Sequence, residues 1–361
     1  MTDSDDVLIE RRAGRDGSVL HIELNRPRAL NALTLPMIRK IDPVLAAAQA
    51  DPDVACVVIT GAGDRAFCAG GDVRAIAESL SDKASTLSQD FFREEYVLNR
   101  RIHRYPKPYV ALIDGVSMGG GFGVSVHGRF RVCTEKLTFA MPETTIGLFP
   151  DVGGTWFLTR CPGEVGTYLA LTGRRVKLAD ALYCGYATHA VPSGDVATLR
   201  QALFEQAPRD RAGVDAVIAR FAAAPEPPPL AEHRRTIDRC FAFDTVEQIV
   251  RALAQDGGDW GAEIVRELGQ KSPTSLKVTL RQLRGGRGLE IEDVLIREYR
   301  MTQHFMAAHD FAEGVRALLI DKDQKPRWRP SGLAEIDAAT VEAYFAPLGA
   351  DDLRFDEGGR P

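Results

Sequence analysis

The chain has 361 residues, enough for one large domain or two modest ones with a substantial core. A composition of 45% hydrophobic and 26% charged residues is that of an ordinary globular protein. The net charge of −5 argues against a general nucleic-acid or anionic-membrane surface, so an anionic ligand would need a local basic patch.

The N-terminus, Met1-Thr2-Asp3-Ser4-Asp5-Asp6, is acidic. It has neither the apolar run of a signal peptide nor the Arg-rich character of a mitochondrial presequence. No apolar stretch is long enough to cross a bilayer. Six cysteines (Cys56, Cys68, Cys133, Cys161, Cys184, Cys240) show no C-x-x-C pair and no zinc spacing, which reads as reduced, buried thiols. The expectation is a soluble cytoplasmic protein with no membrane and no nucleic acid among its partners.

In chain order, residues 19–24 and 54–60 read as strands, and so do 109–113, 131–134 and 137–140. Between them 33–50 is helical by spacing, with Thr34 before Pro36 as a start signal, and 72–80 and 91–104 also read as helices. This alternation implies an α/β fold with largely parallel pairing. Residues 222–230 are proline-rich and suit neither a helix interior nor a central strand. They suggest a division into a core over 1–221, a linker over 222–230 and a helical region over 231–361. In the last of these Ser272-Pro273 is a helix start, and Leu276, Leu280 and Leu283 line one face. These helices either pack on their own core or meet another subunit, which leaves a homo-oligomer open. The polar stretch 350–361 is expected to fray.

The densest chemistry lies where Met118-Gly119-Gly120-Gly121-Phe122-Gly123 is followed by Met141-Pro142-Glu143 and by Phe149-Pro150-Asp151-Val152-Gly153. Glycines let backbone N–H groups approach a ligand atom, and such groups hold a developing oxyanion. Two carboxylates eight residues apart supply a base or nucleophile. Two looser patterns compete. Gly61-Ala-Gly63-Asp-Arg-Ala66 fits a dinucleotide fingerprint, but the following Phe67-Cys-Ala-Gly70-Gly71 would break the helix that fingerprint requires. Gly115-Val-Ser117-Met-Gly119 fits a nucleophile elbow, with Asp151 and either His189 or His304 in the order a serine hydrolase needs.

Phe67-Cys68-Ala69-Gly70-Gly71-Asp72, the triple glycine, Pro142-Glu143 and Pro150-Asp151-Val152-Gly153-Gly154 together resemble the crotonase superfamily. Leu24-Asn25-Arg26-Pro27-Arg28-Ala29-Leu30-Asn31-Ala32-Leu33 looks like its opening strand and coenzyme A loop. Within it the chain is most similar to the 3-hydroxyisobutyryl-CoA hydrolases. Phe91-Phe-Arg-Glu-Glu95-Tyr, Gly147-Leu-Phe-Pro-Asp151, Asp310-Phe-Ala-Glu-Gly-Val-Arg316 and Asp321-Lys-Asp-Gln-Lys-Pro-Arg-Trp328 carry that likeness.

The resemblance implies a ββα spiral core followed by a mainly helical C-terminal region. It implies an oxyanion hole from the N–H groups of Ala69 and Gly120, and coenzyme A contacts at Arg26, Arg28, Ala29, Ala69, Gly70 and Gly71. Glu143 and Asp151 would be catalytic, and Glu95, Gly120, Glu143 and Asp151 would bind the acyl group. Hydratases of the superfamily carry a second glutamate where this chain has Gly123. The expectation is therefore hydrolysis of a short β-hydroxyacyl-CoA, most simply 3-hydroxyisobutyryl-CoA of valine breakdown, with Glu143 as nucleophile or as base. No metal or separate cofactor is called for, coenzyme A being part of the substrate. The alternatives are a hydratase or isomerase of the same superfamily, a serine hydrolase using Ser117, and a non-catalytic subunit. Each acid also has a structural reading: Glu143 as a turn cap, Asp151 as the N-cap of the next helix, and Glu95 as a surface partner of Arg93 or Arg100.

Overall fold

The computed structural model describes residues 6–355. Its chain divides into two compact units that interleave along the sequence. Residues up to Gly71, Leu98–Ala140 and Arg175–Ala231 form the first; Asp72–Val97, Met141–Arg174 and the residues from Glu232 onward form the second. This differs from a division at 222–230, because the chain passes between the units four times before reaching that segment. Residues 222–228 themselves have no regular structure, as their prolines require.

The first unit is built on two sheets. The larger has six strands in the order β1-β2-β3-β5-β7-β9: Val7–Gly14, Gly17–Leu24, Val54–Gly61, Tyr109–Ile113, Phe130–Cys133 and His189–Ala190. Apart from the β1–β2 hairpin every pair is parallel, as the α/β alternation implied. The smaller sheet stacks three short parallel strands, β4 (Ala66–Cys68), β6 (Val116–Met118) and β8 (Thr138–Ala140). Val19, Val58, Val110, Leu112 and Val132 of the large sheet pack against Leu199, Leu203, Val214 and Ile218 of the helices Val196–Gln206 and Arg211–Ala219. Each such side chain contributes roughly 1.5–3 kcal/mol on burial. All six cysteines are buried and form no disulfide among the described residues.

Strand β1 escaped the sequence reading because it is an edge strand whose middle, Glu10-Arg11-Arg12, faces solvent. Its register is fixed by Val7↔Leu24 through Gly14↔Gly17, and by Arg11 reaching Asp51 at 2.8 Å. The helix Leu35–Ala50 starts as Thr34 foretold, the Thr34 hydroxyl accepting the Met37 N–H.

The second unit is mainly helical. Pro273–Gly286 starts where expected, the Ser272 Oγ accepting the Ser275 N–H at 3.1 Å, and Leu276, Leu280 and Leu283 are buried. The stretch expected to fray from residue 350 is anchored instead: Arg300 pairs with Asp352 at 2.8 Å and Leu353 is buried. Residues 356–361, the rest of that stretch, lie outside the described residues, as do residues 1–5 of the acidic N-terminus.

Candidate active site

The two halves of the expected machinery fall in different units, and each is assembled by its own logic. In the first unit, residues 25–33 form a turn with Leu30 and Asn31 in the left-handed region (φ 52° and 57°), which asparagine tolerates and leucine resists. The completely buried Asn31 holds this turn in place. Its Nδ2 donates to Ala62 O and Ala66 O, both at 2.9 Å, and its Oδ1 accepts the Arg26 N–H. The Arg26 guanidinium donates to Ala32 O at 2.7 Å, so it is occupied on its own turn, whereas Arg28 and Ala29 are exposed.

The turn also settles which amide is free. The Ala69 N–H, expected in the oxyanion hole, donates to Leu30 O at 3.0 Å and is not available to a ligand. The expectation for Ala69 as a donor is corrected on that ground. Gly70 O accepts the Leu33 N–H, and the Gly71 N–H makes no hydrogen bond among the described residues. Gly120 opens the helix Gly120–Val126, so its N–H has no partner one turn earlier. Parallel pairing of β4 with β6 sends both glycine segments off the same sheet edge. A Cβ on Gly70 would sit 4.0 Å from the Gly120 nitrogen, and one on Gly121 would overlap the Cys68 carbonyl. Gly119 needs to be glycine for its φ of 46°.

Ser117 is not a nucleophile. It is fully buried, and its Oγ lies 2.6 Å from the Tyr186 hydroxyl, which also meets Ser125 Oγ at 2.9 Å. His189 instead meets Asp215 at 3.3 Å, and His304 approaches Ala346 O.

The second unit gathers the acids. Glu95 on the helix Leu87–His103, Glu143 at the head of the 3-10 turn Glu143–Ile146, and Asp151 are 2%, 5% and 5% exposed. Tyr96 donates its hydroxyl to Asp151 Oδ2 at 2.8 Å. Glu95 Oε1 and Glu143 Oε2 have no hydrogen-bond partner, and none of these acids meets a cation among the described residues. Burial pushes the Asp151 carboxyl up to about 7, against the pull of Tyr96 and of its own backbone N–H. Burial first, and then the Asp151 charge, hold Glu95 and Glu143 well above the usual carboxylate range.

A fourth acid, unread in the sequence, braces the segment that follows Asp151. Glu298 is fully buried on the helix Ile291–Ala307. It accepts the N–H groups of Gly153 (2.7 Å) and Thr155 (2.9 Å) and the Thr155 hydroxyl (2.6 Å). It thereby caps the short helix Gly154–Leu158, whose N-cap Gly153 has no side chain for the task. Burial lifts Glu298 to about 8 even so. Asp151 is thus relieved of the capping role its sequence position offered. Its neighbour Val152 adopts φ 51°, a strained conformation for a β-branched residue, and Gln282 fixes the segment by donating to Pro150 O at 2.8 Å. Glu143 is presented by a turn that closes at Gly147 (φ 71°), where a Cβ would overlap the Asp310 backbone. Glu95 is no surface partner either, since Arg93 turns to the Tyr299 hydroxyl and the carbonyls of Asp351 and Asp352.

Glu298 left one faint signal in the sequence. Val294, Leu295, Met301, Thr302 and Phe305 form the buried stripe of its helix, and a carboxylate set into such a stripe needs partners.

Comparison with known proteins places these residues in context. A curated mitochondrial 3-hydroxyisobutyryl-CoA hydrolase of Mus musculus is 48% identical over 98% of this chain and 92% of its own length. A carnitinyl-CoA dehydratase structure from Mycobacterium thermoresistibile is 42% identical, with a TM-score of 0.91 over 98% of this chain and all of that one. An enoyl-CoA hydratase structure from Rhodobacter sphaeroides is 40% identical, with a TM-score of 0.87 over 97% and all of it. The mouse relative is mitochondrial by name, which overturns the expected cytoplasmic location. No helix among the described residues is long and apolar enough to cross a membrane. The α/β architecture with its two sheets and helical C-terminal region is shared with these structures, and the enoyl-CoA hydratase/isomerase family model matches residues 19–345. The chain belongs to the enoyl-CoA hydratase/isomerase family.

Proposed function

We propose that the protein hydrolyses a short β-hydroxyacyl-CoA thioester, 3-hydroxyisobutyryl-CoA being the substrate its relatives suggest. The observation that carries the reading is the set of buried acids, Glu95, Glu143 and Asp151, which meet no cation among the described residues. Such a group is costly to bury, and a purely structural cluster would be paired or replaced by apolar side chains.

In this reading the N–H groups of Gly71 and Gly120 polarise the thioester carbonyl and hold the oxyanion, each worth ~3–4 kcal/mol of barrier. Arg28, Ala29, Gly70 and Gly71 contact the coenzyme. Near neutrality Asp151 is poised between its two forms, and its charge favours the protonated forms of its neighbours. The cluster therefore offers a carboxylate and a carboxylic acid together. With Asp151 in its protonated form, ionised Glu143 attacks the carbonyl carbon or takes a proton from the attacking water; the C–S bond breaks, and the protonated neighbour supplies the proton to the leaving thiolate. Where Glu143 itself has attacked, water then cleaves the resulting anhydride and restores the carboxylate. Glu95 and Asp151 hold the β-hydroxyl, which makes analogues lacking it poor substrates.

The test is a panel of acyl-CoAs assayed for free thiol. β-Hydroxyacyl thioesters should release it, and Glu143→Gln should lower the rate by ~10²–10⁴-fold. Rapid conversion of crotonyl-CoA to its hydrated product with no thiol appearing would overturn the proposal.

A further inference from the structure

The helix Pro273–Gly286 carries Ser275, Thr279 and Gln282 at positions i, i+4 and i+7, so three polar side chains share one face over about 10 Å. All three are buried. Ser275 Oγ, Thr279 Oγ1 and Gln282 Oε1 each lack a hydrogen-bond partner among the described residues. Serine and threonine inside a helix usually bond back to the carbonyl one turn earlier, and these two do not. Three orphaned oxygens in one line, on a helix that elsewhere buries leucines, need an explanation beyond packing.

The two ends of this face supply it. At its start the Ser272 N–H donates to Thr144 O (3.2 Å), next to Glu143, whose Oε2 is likewise unpartnered. At its far end Gln282 Nε2 donates to Pro150 O, beside Asp151, and to Thr155 Oγ1 at 2.6 Å. The Thr155 hydroxyl in turn donates to Glu298. One turn on, Gly286 packs so closely on Thr155 that a Cβ would overlap it. The face thus runs from the turn that presents Glu143 to the segment that presents Asp151.

We infer that Ser275, Thr279 and Gln282 line a file of ordered water that carries protons between Glu143 and Glu298 and admits the water each turnover consumes. The inference rests on the hydrolase reading. In thioester hydrolysis the water oxygen bonds to the acyl carbon, the C–S bond breaks and the thiolate takes one proton. The other proton leaves with the ionising carboxylic acid product. Buried acids must therefore be reset in every cycle. Hydroxyls that both donate and accept suit that task, and a buried water needs two to four polar partners of the kind this face offers. Glu298 acquires a second role at the inner end of the path, and the three polar residues act as positioning residues for water.

The test uses Ser275→Ala and Thr279→Val, singly and together, which remove hydroxyls that bond to no protein group. The double variant should lose roughly tenfold or more in kcat with KM within about twofold, and its solvent deuterium isotope effect should rise; Thr279→Ser should keep wild-type values. Unchanged kcat and isotope effect in a folded double variant would overturn the inference. So would a high-resolution crystal structure of the wild type with no water within hydrogen-bonding distance of Ser275 Oγ and Thr279 Oγ1, a readout that stands even if the variants misfold. Thiol release by the wild type is measured first in the same assay, and its absence would count against the hydrolase reading instead.

Discussion

Replacing Asp151 with asparagine should separate stability from activity, and the size of the effect follows from the burial of this one carboxyl. Folding raises Asp151 from 3.8 to about 7, roughly three units at about 1.4 kcal/mol each. Because the folded value lies above the unfolded one, between about pH 4 and 7 the native protein holds a proton that the unfolded chain has released. Stability therefore falls as pH rises through that window and levels off above it. Asparagine keeps an oxygen for the Tyr96 hydroxyl and has no charge to bury. The variant's advantage over the wild type should grow from about 2 kcal/mol at pH 5 to about 4 kcal/mol at pH 8. Glu95 and Glu143, held up partly by the Asp151 charge, ionise more easily in the variant and add to the gain. Urea unfolding at pH 5, 6 and 8 reads the difference directly, and comparing pH values cancels any constant change in packing. Thiol release should drop by ~10²-fold or more in the same protein. Parallel stability profiles for wild type and variant would refute the claim that Asp151 is held near neutrality by burial.

Three further substitutions probe the surrounding parts. Tyr96→Phe removes the hydrogen bond that draws Asp151 downward, so the acid limb of the kcat/KM profile should move up by about one unit; an unmoved limb would detach Asp151 from the rate. Glu298→Gln turns an amide group toward donors at Gly153 and Thr155 and should lower stability by roughly 2–5 kcal/mol in urea, whereas equal stability would refute its capping role. Asn31→Ala breaks two bonds that tie residues 25–33 to 62–66 and a third within the turn; a loss of roughly 2–4 kcal/mol together with a higher KM for acyl-CoA is expected, and an unchanged KM would remove this turn from coenzyme binding.

The central strands of the large sheet were legible because they are apolar runs flanked by helical periodicity, and β3 and β5 fall within a residue of where the pattern put them, whereas the edge strands β1 and β9 were missed. The small sheet was less legible. Strands β4 and β6 are three residues long and made of the same residues as the glycine motifs, so periodicity has nothing to count. Ala69 shows the limit of motif reading at finer scale. Small residues in series mark a loop where backbone meets ligand, but only the fold shows that Leu30 has claimed the first N–H. The supporting residues Asn31, Gln282 and Glu298 act across 31, 132 and 145 positions of chain, and no local pattern announces such partners.

Two solved structures similar to this chain bear hydratase and dehydratase titles, while the curated mouse relative is a hydrolase, so the backbone by itself does not choose the reaction. The acids do. Adding water across a carbon–carbon double bond needs one group to activate water at the β-carbon and another to deliver a proton to the α-carbon, positions fixed by the substrate rather than by the protein. Gly123, on the buried helix Gly120–Val126, offers no acid from that helix for such a pair. Attack on a thioester carbonyl makes a different demand: both proton transfers take place around one carbon, between water and sulfur. Carboxyls that repel one another's charge, as Asp151 does with Glu95 and Glu143, suit that demand, because the ionised form of one favours the protonated form of the next. The same repulsion would be a defect in a site that needed both acids ionised at once.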